Sequence, residues 1–208
     1  MTDAEVVESP MPETGNPAGS AGKARHVGAV LGQPDMWAFV LFECLIFSTY
    51  FIIYMLYRMH SPELFLRSQE HLNQTFGVAN TLILLTSSWL IARCVQSAPE
   101  RKYQIALRQV FLTLFCGVLF VASKAIEWSM KIREGLEFST NEFFSFYYFL
   151  TGIHVLHVLI GFGFLGVVIY QLLSPERRSQ EIVETGATYW HMVDLIWVVI
   201  FALLYVMR

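Results

Sequence analysis

Eight side chains able to carry or exchange a proton, or to bond through a polar head, lie inside stretches that are otherwise apolar: Glu43, Asn80, Lys124, Glu127, His154, His157, His191 and Asp194. Imidazole and carboxylate are ligands for several transition metals. His154 and His157 sit three apart, as do His191 and Asp194, so each pair lies on one side of a helix. Two chemistries fit that spacing. One is a metal or haem site, with His154 or His157 facing His191 as an axial pair. The other is a set of interhelical hydrogen bonds in which Asp194 orients a ring nitrogen, the usual fate of buried polar groups.

Lys124 and Glu127 extend a stripe with Thr113, Gly117 and Phe120 at steps of four, three, four and three, which is a single helix face. Three apart, the two can pair and lower each other's cost. The pair reads as a structural ion pair near the membrane surface, with Lys124 partly snorkelling, or as a contact with a partner or a proton route. Asn80 and Ser87, with Ser88 alongside, suit interhelical hydrogen bonds worth about 1 kcal/mol each. Glu43 has no basic residue within a turn or two of its own helix. It is either a neutral acid bonded to a neighbouring helix or a proton-handling group.

The elements that hold these residues are five apolar stretches, roughly Met36–Tyr57, Phe76–Ala92, Val110–Trp128, Phe143–Leu173 and Ala187–Met207. About 20 residues of helix cross a hydrocarbon core of about 30 Å. An ionisable group deep in that core costs roughly 3 kcal/mol unless protein or water shelters it. The polar residues must therefore face one another or a partner. The expected fold is an all-α, polytopic bundle of five transmembrane helices, covering 32–208 behind a polar tail over 1–31.

Composition agrees: 55% of residues are hydrophobic and 15% charged, the balance of a membrane bundle. A net charge of −3 without a basic stripe excludes a nucleic-acid partner. Cys44, Cys94 and Cys116 are isolated in sequence, which argues against a disulfide framework or a thiolate zinc site and for small buried hydrophobes. The tail is rich in Pro, Gly, Ser and Glu, which points to disorder. It lacks the apolar core of a cleaved secretory signal, so the first span is expected to act as the insertion signal.

Basic residues divide unevenly between the two sides. Lys23, Arg25, Arg93, Arg101, Lys102, Arg108, Arg177 and Arg178 make eight on one, against five on the other, Arg58, Arg67, Lys131, Arg133 and Arg208. The positive-inside rule puts the N-terminus in the cytoplasm and the C-terminus outside. Trp37, Tyr57, Tyr147, Tyr148, Tyr189, Trp190 and Tyr205 near span ends read as headgroup-level aromatics. Pro34, Pro62, Pro99 and Pro175 fall in connections, and Gly152, Gly161, Gly163 and Gly166 permit close helix approach on the fourth span. No inverted repeat of broken helices is evident, which weakens a transporter reading.

The order of these features resembles subunit III of haem–copper oxidases, the cytochrome c oxidase subunit III family. Tyr189–Val206, YWHMVDLIWVVIFALLYV, is similar to that family's WHxxDxxW closing helix. Phe143–Gly161 is similar to its TGxHxxHVxxG helix, and Asn80–Ser88 to its Asn–Thr…Ser–Ser element. FECLIF at Phe42–Phe47 puts Glu43 where the family often carries a buried, carbodiimide-reactive carboxylate. The resemblance runs from about Gly32 to Arg208. Two N-terminal spans of the seven-helix mitochondrial form are missing, as in the bacterial quinol-oxidase form and in the protein encoded with nitric oxide reductase. FVASKAIEW, with Lys124 in place of Gln and Trp128 in place of Tyr, looks closer to that nitric-oxide-reductase-associated branch.

The resemblance implies an accessory subunit of the bacterial inner membrane with no haem, copper or other metal of its own. It implies bound phospholipid in a cleft near Glu43, and a catalytic haem–copper oxidase or nitric oxide reductase subunit as partner. Asn80, Ser87, His154, His157, His191 and Asp194 would then form a structural network between helices.

Overall fold

A polar side chain can be hidden from lipid only if helices close around it, and the chain does this with helices alone among the described residues. The computed structural model describes residues 34–98, 102–174 and 179–207. The tail over 1–31 lies outside them, as do Lys23, Arg25, Arg101, Arg177, Arg178 and Arg208 of the charge comparison, and Pro99 and Pro175. In order come α1 (Pro34–His60), α2 (Pro62–Glu70), α3 (Gln74–Ser97), α4 (Tyr103–Arg133), α5 (Glu142–Leu173) and α6 (Gln180–Phe201). A π-helical turn, Ala202–Val206, continues α6. Five of the helices, all but α2, are long and apolar enough to cross a membrane.

The helices outrun the apolar stretches that reveal them. The third starts at Tyr103 rather than near Val110 and reaches Arg133 rather than Trp128; the last starts at Gln180 rather than near Ala187. Hydropathy marks only what hydrocarbon tolerates, whereas helical bonding continues into the headgroup layer until a cap stops it. At about 1.5 Å per residue, α4 and α5 reach about 46 and 48 Å, well past the core. Asn73 and Asn141 supply N-caps, their side chains accepting from the N–H groups of Thr75 and Phe144.

The segment expected as a plain connection around Pro62 is a helix. Pro62 stands at its start, where a missing N–H costs nothing. Phe65 is fully buried, edge-on to Tyr54 and Phe143 with centroids 5.5 and 5.7 Å away. Gln69 Nε2 donates to the carbonyls of Leu203 and Leu204 at 3.2 and 3.0 Å. The Tyr54 hydroxyl also donates to the Leu203 carbonyl, and Gln74 Nε2 to that of Tyr205. A helix end leaves its last carbonyls without partners; here α1, α2 and α3 supply them.

The core runs along α3, α4, α5 and α6. Each presents one stripe at steps of three and four: Gly77, Asn80, Leu84, Ser87, Ile91 and Cys94 on α3, and Tyr147, Thr151, His154, Val158, Gly161 and Leu165 on α5. That period suits helices packed at shallow angles. α6 packs against α1, α3 and α5, and α4 against α3 and α5. The surface between stripes is apolar, with Leu82, Trp89, Phe115, Leu156 and Leu195 exposed, as lipid contact requires.

α1 is the outlying helix, burying Met36, Phe47 and Tyr54 while Leu41, Phe42 and Leu45 stay exposed. Among the glycines, close approach occurs at Gly161 but not at Gly152, Gly163 or Gly166, which face open space. The tight positions include Gly117 and Gly161, which together clasp the indole of Trp190: a Cβ on either would come 2.9 Å from it. Cys94 is buried, but Cys44 and Cys116 are only partly so.

Candidate functional site: two polar pairs in the bundle

The α4 stripe brings Lys124 and Glu127 to the centre of the bundle. Lys124 Nζ lies 2.9 Å from Glu127 Oε2, and its other two N–H bonds go to the hydroxyls of Tyr147 and Tyr205 at 3.2 and 3.1 Å. All three ammonium donors are thereby used. The Tyr205 hydroxyl donates to Glu127 Oε1 at 2.6 Å, so both carboxylate oxygens have a partner. The ammonium also stands 4.9 Å from the ring of Tyr147 and 5.4 Å from that of Trp197, within range for cation–π attraction. A buried pair offsets its desolvation only when the remaining bonds are satisfied, and these are.

This differs from the sequence expectation in two ways. Lys124 does not snorkel: it is 0% exposed, because Glu127 and two tyrosines meet it inside. Tyr147, Tyr189, Trp190 and Tyr205, expected at headgroup level, have their side chains buried among the helices. Tyr147 and Tyr205 are the functional residues that sequence reasoning missed. The signal was present for Tyr147, which shares the step-of-three-and-four register of Thr151, His154, Val158 and Gly161.

The second pair joins α1 to α5. Glu43 Oε2 lies 3.3 Å from His157 Nε2, and the two side chains are 14% and 13% exposed. His157 Nδ1 is 2.9 Å from the Ile153 carbonyl. A carbonyl can only accept, so Nδ1 carries a hydrogen. Nε2 then faces the Glu43 carboxyl, joining α1 to α5 through two polar groups. Phe47 packs edge-on to the imidazole at 5.3 Å, and the Tyr189 hydroxyl donates to the His157 carbonyl at 3.2 Å.

The single network expected among Asn80, Ser87, His154, His157, His191 and Asp194 is instead a set of separate contacts. Ser87 accepts from Trp190 Nε1 at 2.9 Å and donates to the Leu84 carbonyl. Ser88 Oγ meets His191 Nδ1 at 2.7 Å. His157 belongs to Glu43 and does not share the buried face of His154 and Gly161. Asn80, His154 and Asp194 are buried with no hydrogen-bond partner on either polar atom. Ser88 is near enough to interact with Asp194, but its short contact goes to His191. His154 sits between Phe120 and Trp197, with centroids 5.3 and 5.1 Å away.

His154, His157 and His191 are held against different neighbours: the rings of Phe120 and Trp197, the Glu43 carboxyl, and the Ser88 hydroxyl. Among the described residues, no three His, Cys, Asp or Glu side chains gather as they would around a metal ion.

Comparison of the sequence with known proteins places the chain in a family. The profile of the family described as Cytochrome c oxidase subunit III covers residues 15–208. Cytochrome c oxidase subunit 3 of Synechocystis is 33% identical over 185 residues, 85% of this chain and 78% of that protein. Cytochrome bo(3) ubiquinol oxidase subunit 3 of Buchnera aphidicola is 26% identical over 82% of this chain and 90% of its own length. Heme-copper oxidase subunit I+III of Aeropyrum pernix is 28% identical over 82% of this chain, which spans only 22% of that longer protein. Five apolar helices with their charges turned inward, together with a family profile that runs from residue 15 to the last residue, make this a multi-pass membrane protein of the cytochrome c oxidase subunit III family.

Proposed function

We propose that the chain is an accessory, non-redox subunit of a bacterial respiratory complex of the inner membrane, seated against a catalytic haem–copper oxidase or nitric oxide reductase subunit. Its N-terminus is cytoplasmic and its C-terminus outside. Its work is to stabilise the catalytic subunit and support proton uptake, with phospholipid held beside α1. The observation that carries this reading is the Glu43–His157 pair, which joins an outlying helix to the bundle. Support for the partner comes from the Aeropyrum relative, whose name joins subunits I and III in a single protein. Lys124 favours the nitric-oxide-reductase-associated branch.

The test is affinity purification of the tagged chain from its native membrane. Co-elution of a haem-bearing catalytic subunit, with the haem absent from the chain once the two are separated, is the expected result. Stoichiometric haem on the separated chain would overturn the reading. Replacement of Glu43 by Gln should leave the complex assembled and shorten the period over which it sustains turnover.

A further inference from the structure

The buried Lys124–Glu127 pair is not closed on every side. A cavity of about 270 Å³ opens at the end of the bundle that carries α2, and Glu127 forms its inner wall. Its other walls include Glu70 and His71 from the end of α2, Leu72 from the turn after it, and Lys131 and Glu134 from α4. At about 30 Å³ per molecule of liquid, that volume has room for several waters, and its walls offer the polar partners that ordered water needs.

The groups facing Glu127 can be assigned. On its own helix are Lys124 and, one turn on, Lys131, which is paired with Glu134 at 2.8 Å. From α5 comes the Tyr147 hydroxyl on Lys124, and from the π turn the Tyr205 hydroxyl on Glu127. Glu70 and His71 face it across the cavity. Three carboxylates thus meet two ammonium groups and the His71 imidazole around the cavity. On the other side of Lys124, Phe120 and Trp197, both fully buried, meet edge-to-face 4.7 Å apart.

We propose that Glu127 is a proton-exchange site, hydrated through this inlet from one membrane face and closed to the other by the Phe120–Trp197 layer. Its ligand is the hydrated proton. A hydronium ion in the inlet transfers its proton to the Glu127 carboxylate, leaving a carboxylic acid and a water molecule. The Lys124 ammonium keeps its bonds to Tyr147 and Tyr205. This assignment is independent of which complex the chain joins.

The experiment uses the full chain in sealed membrane vesicles, with Cys44, Cys94 and Cys116 replaced by Ala. Leu72→Cys places a thiol on the inlet wall, and Leu84→Cys one that is buried on α3 away from the inlet. A membrane-impermeant, water-borne thiol reagent should label Leu72→Cys at least about tenfold faster, because thiol reactivity follows access, and only when added to the α2 face. Equal rates, or labelling from both faces, would overturn the proposal. In parallel, acidifying the α2 side should raise an infrared carboxylic-acid carbonyl band that Glu127→Gln removes and Glu70→Gln leaves. A band that survives in Glu127→Gln, or that answers to sodium rather than to pH, would overturn it as well.

Discussion

The Tyr205 hydroxyl donates to Glu127 Oε1 at 2.6 Å while the same oxygen accepts from Lys124 Nζ at 3.1 Å. The last turn of the chain is therefore tied to the only charges on the α4 stripe that are wholly inside the bundle. Tyr205→Phe keeps the ring and deletes both bonds. It should cost about 1–3 kcal/mol, the usual penalty for stranding buried polar partners, read as a lower thermal midpoint in detergent.

Lys124→Met should be more damaging, at about 3–5 kcal/mol, because it leaves the Glu127 carboxylate buried without a counter-charge. The double variant Lys124→Met with Glu127→Leu should recover much of that loss. Removing both charges also removes the desolvation they incur. Thermal unfolding of the three proteins in one detergent checks the order, and a double variant worse than the single one would contradict it.

Gly117→Ala should destabilise by about 1–3 kcal/mol through overpacking. Its Cβ would lie 2.5 Å from Phe162 Cε1 and 2.9 Å from Trp190. Gly163→Ala, whose Cβ meets nothing within 4 Å, should leave stability at or above wild type. The contrast is read from the yield of folded protein and its thermal midpoint.

Glu43→Gln should fold at wild-type yield, since the Gln amide can donate to His157 Nε2 in place of the acid. His157→Ala should lower stability by about 1–3 kcal/mol, leaving Glu43 without its partner. Combining the two should cost less than the separate losses added together, the signature of residues in direct contact. Thermal midpoints of the four proteins test this.

Asp194 carries the opposite expectation from the one its sequence motif invites. A WHxxDxxW spacing suggests an acid that orients a ring, so that Asp194→Leu would strand a partner. With no hydrogen bond on either oxygen, the carboxyl contributes no bond to lose. Asp194→Leu should leave the isolated chain as stable as wild type or more so, and a lower thermal midpoint would contradict this. Loss of the assembled complex despite a stable chain would place the role of Asp194 at the partner.

Much of the site was legible because helical period is a local property. The steps of three and four from Thr113 to Glu127 depend on the α-helix alone, and they brought Lys124 beside Glu127 at 2.9 Å. The partners were not legible, because they come from other helices. Tyr147 lies 23 residues from Lys124 and Tyr205 lies 81 away. Nothing in the residues around Glu43 announces His157, 114 positions on, since the pairing depends on how α1 leans against α5.

By itself the sequence determined the all-helical class, the five spans, the need for inward-facing polar groups and the family. All of these follow from the incompatibility of charge with hydrocarbon and from local periodicity. Only the tertiary structure decided which polar groups are satisfied. It gave Lys124 three partners, gave Glu43 one and left Asp194 none. It also buried the tyrosines near the span ends among the helices. The reason is geometric: the rotation of each helix about its axis chooses which atoms meet, and no local pattern encodes that rotation.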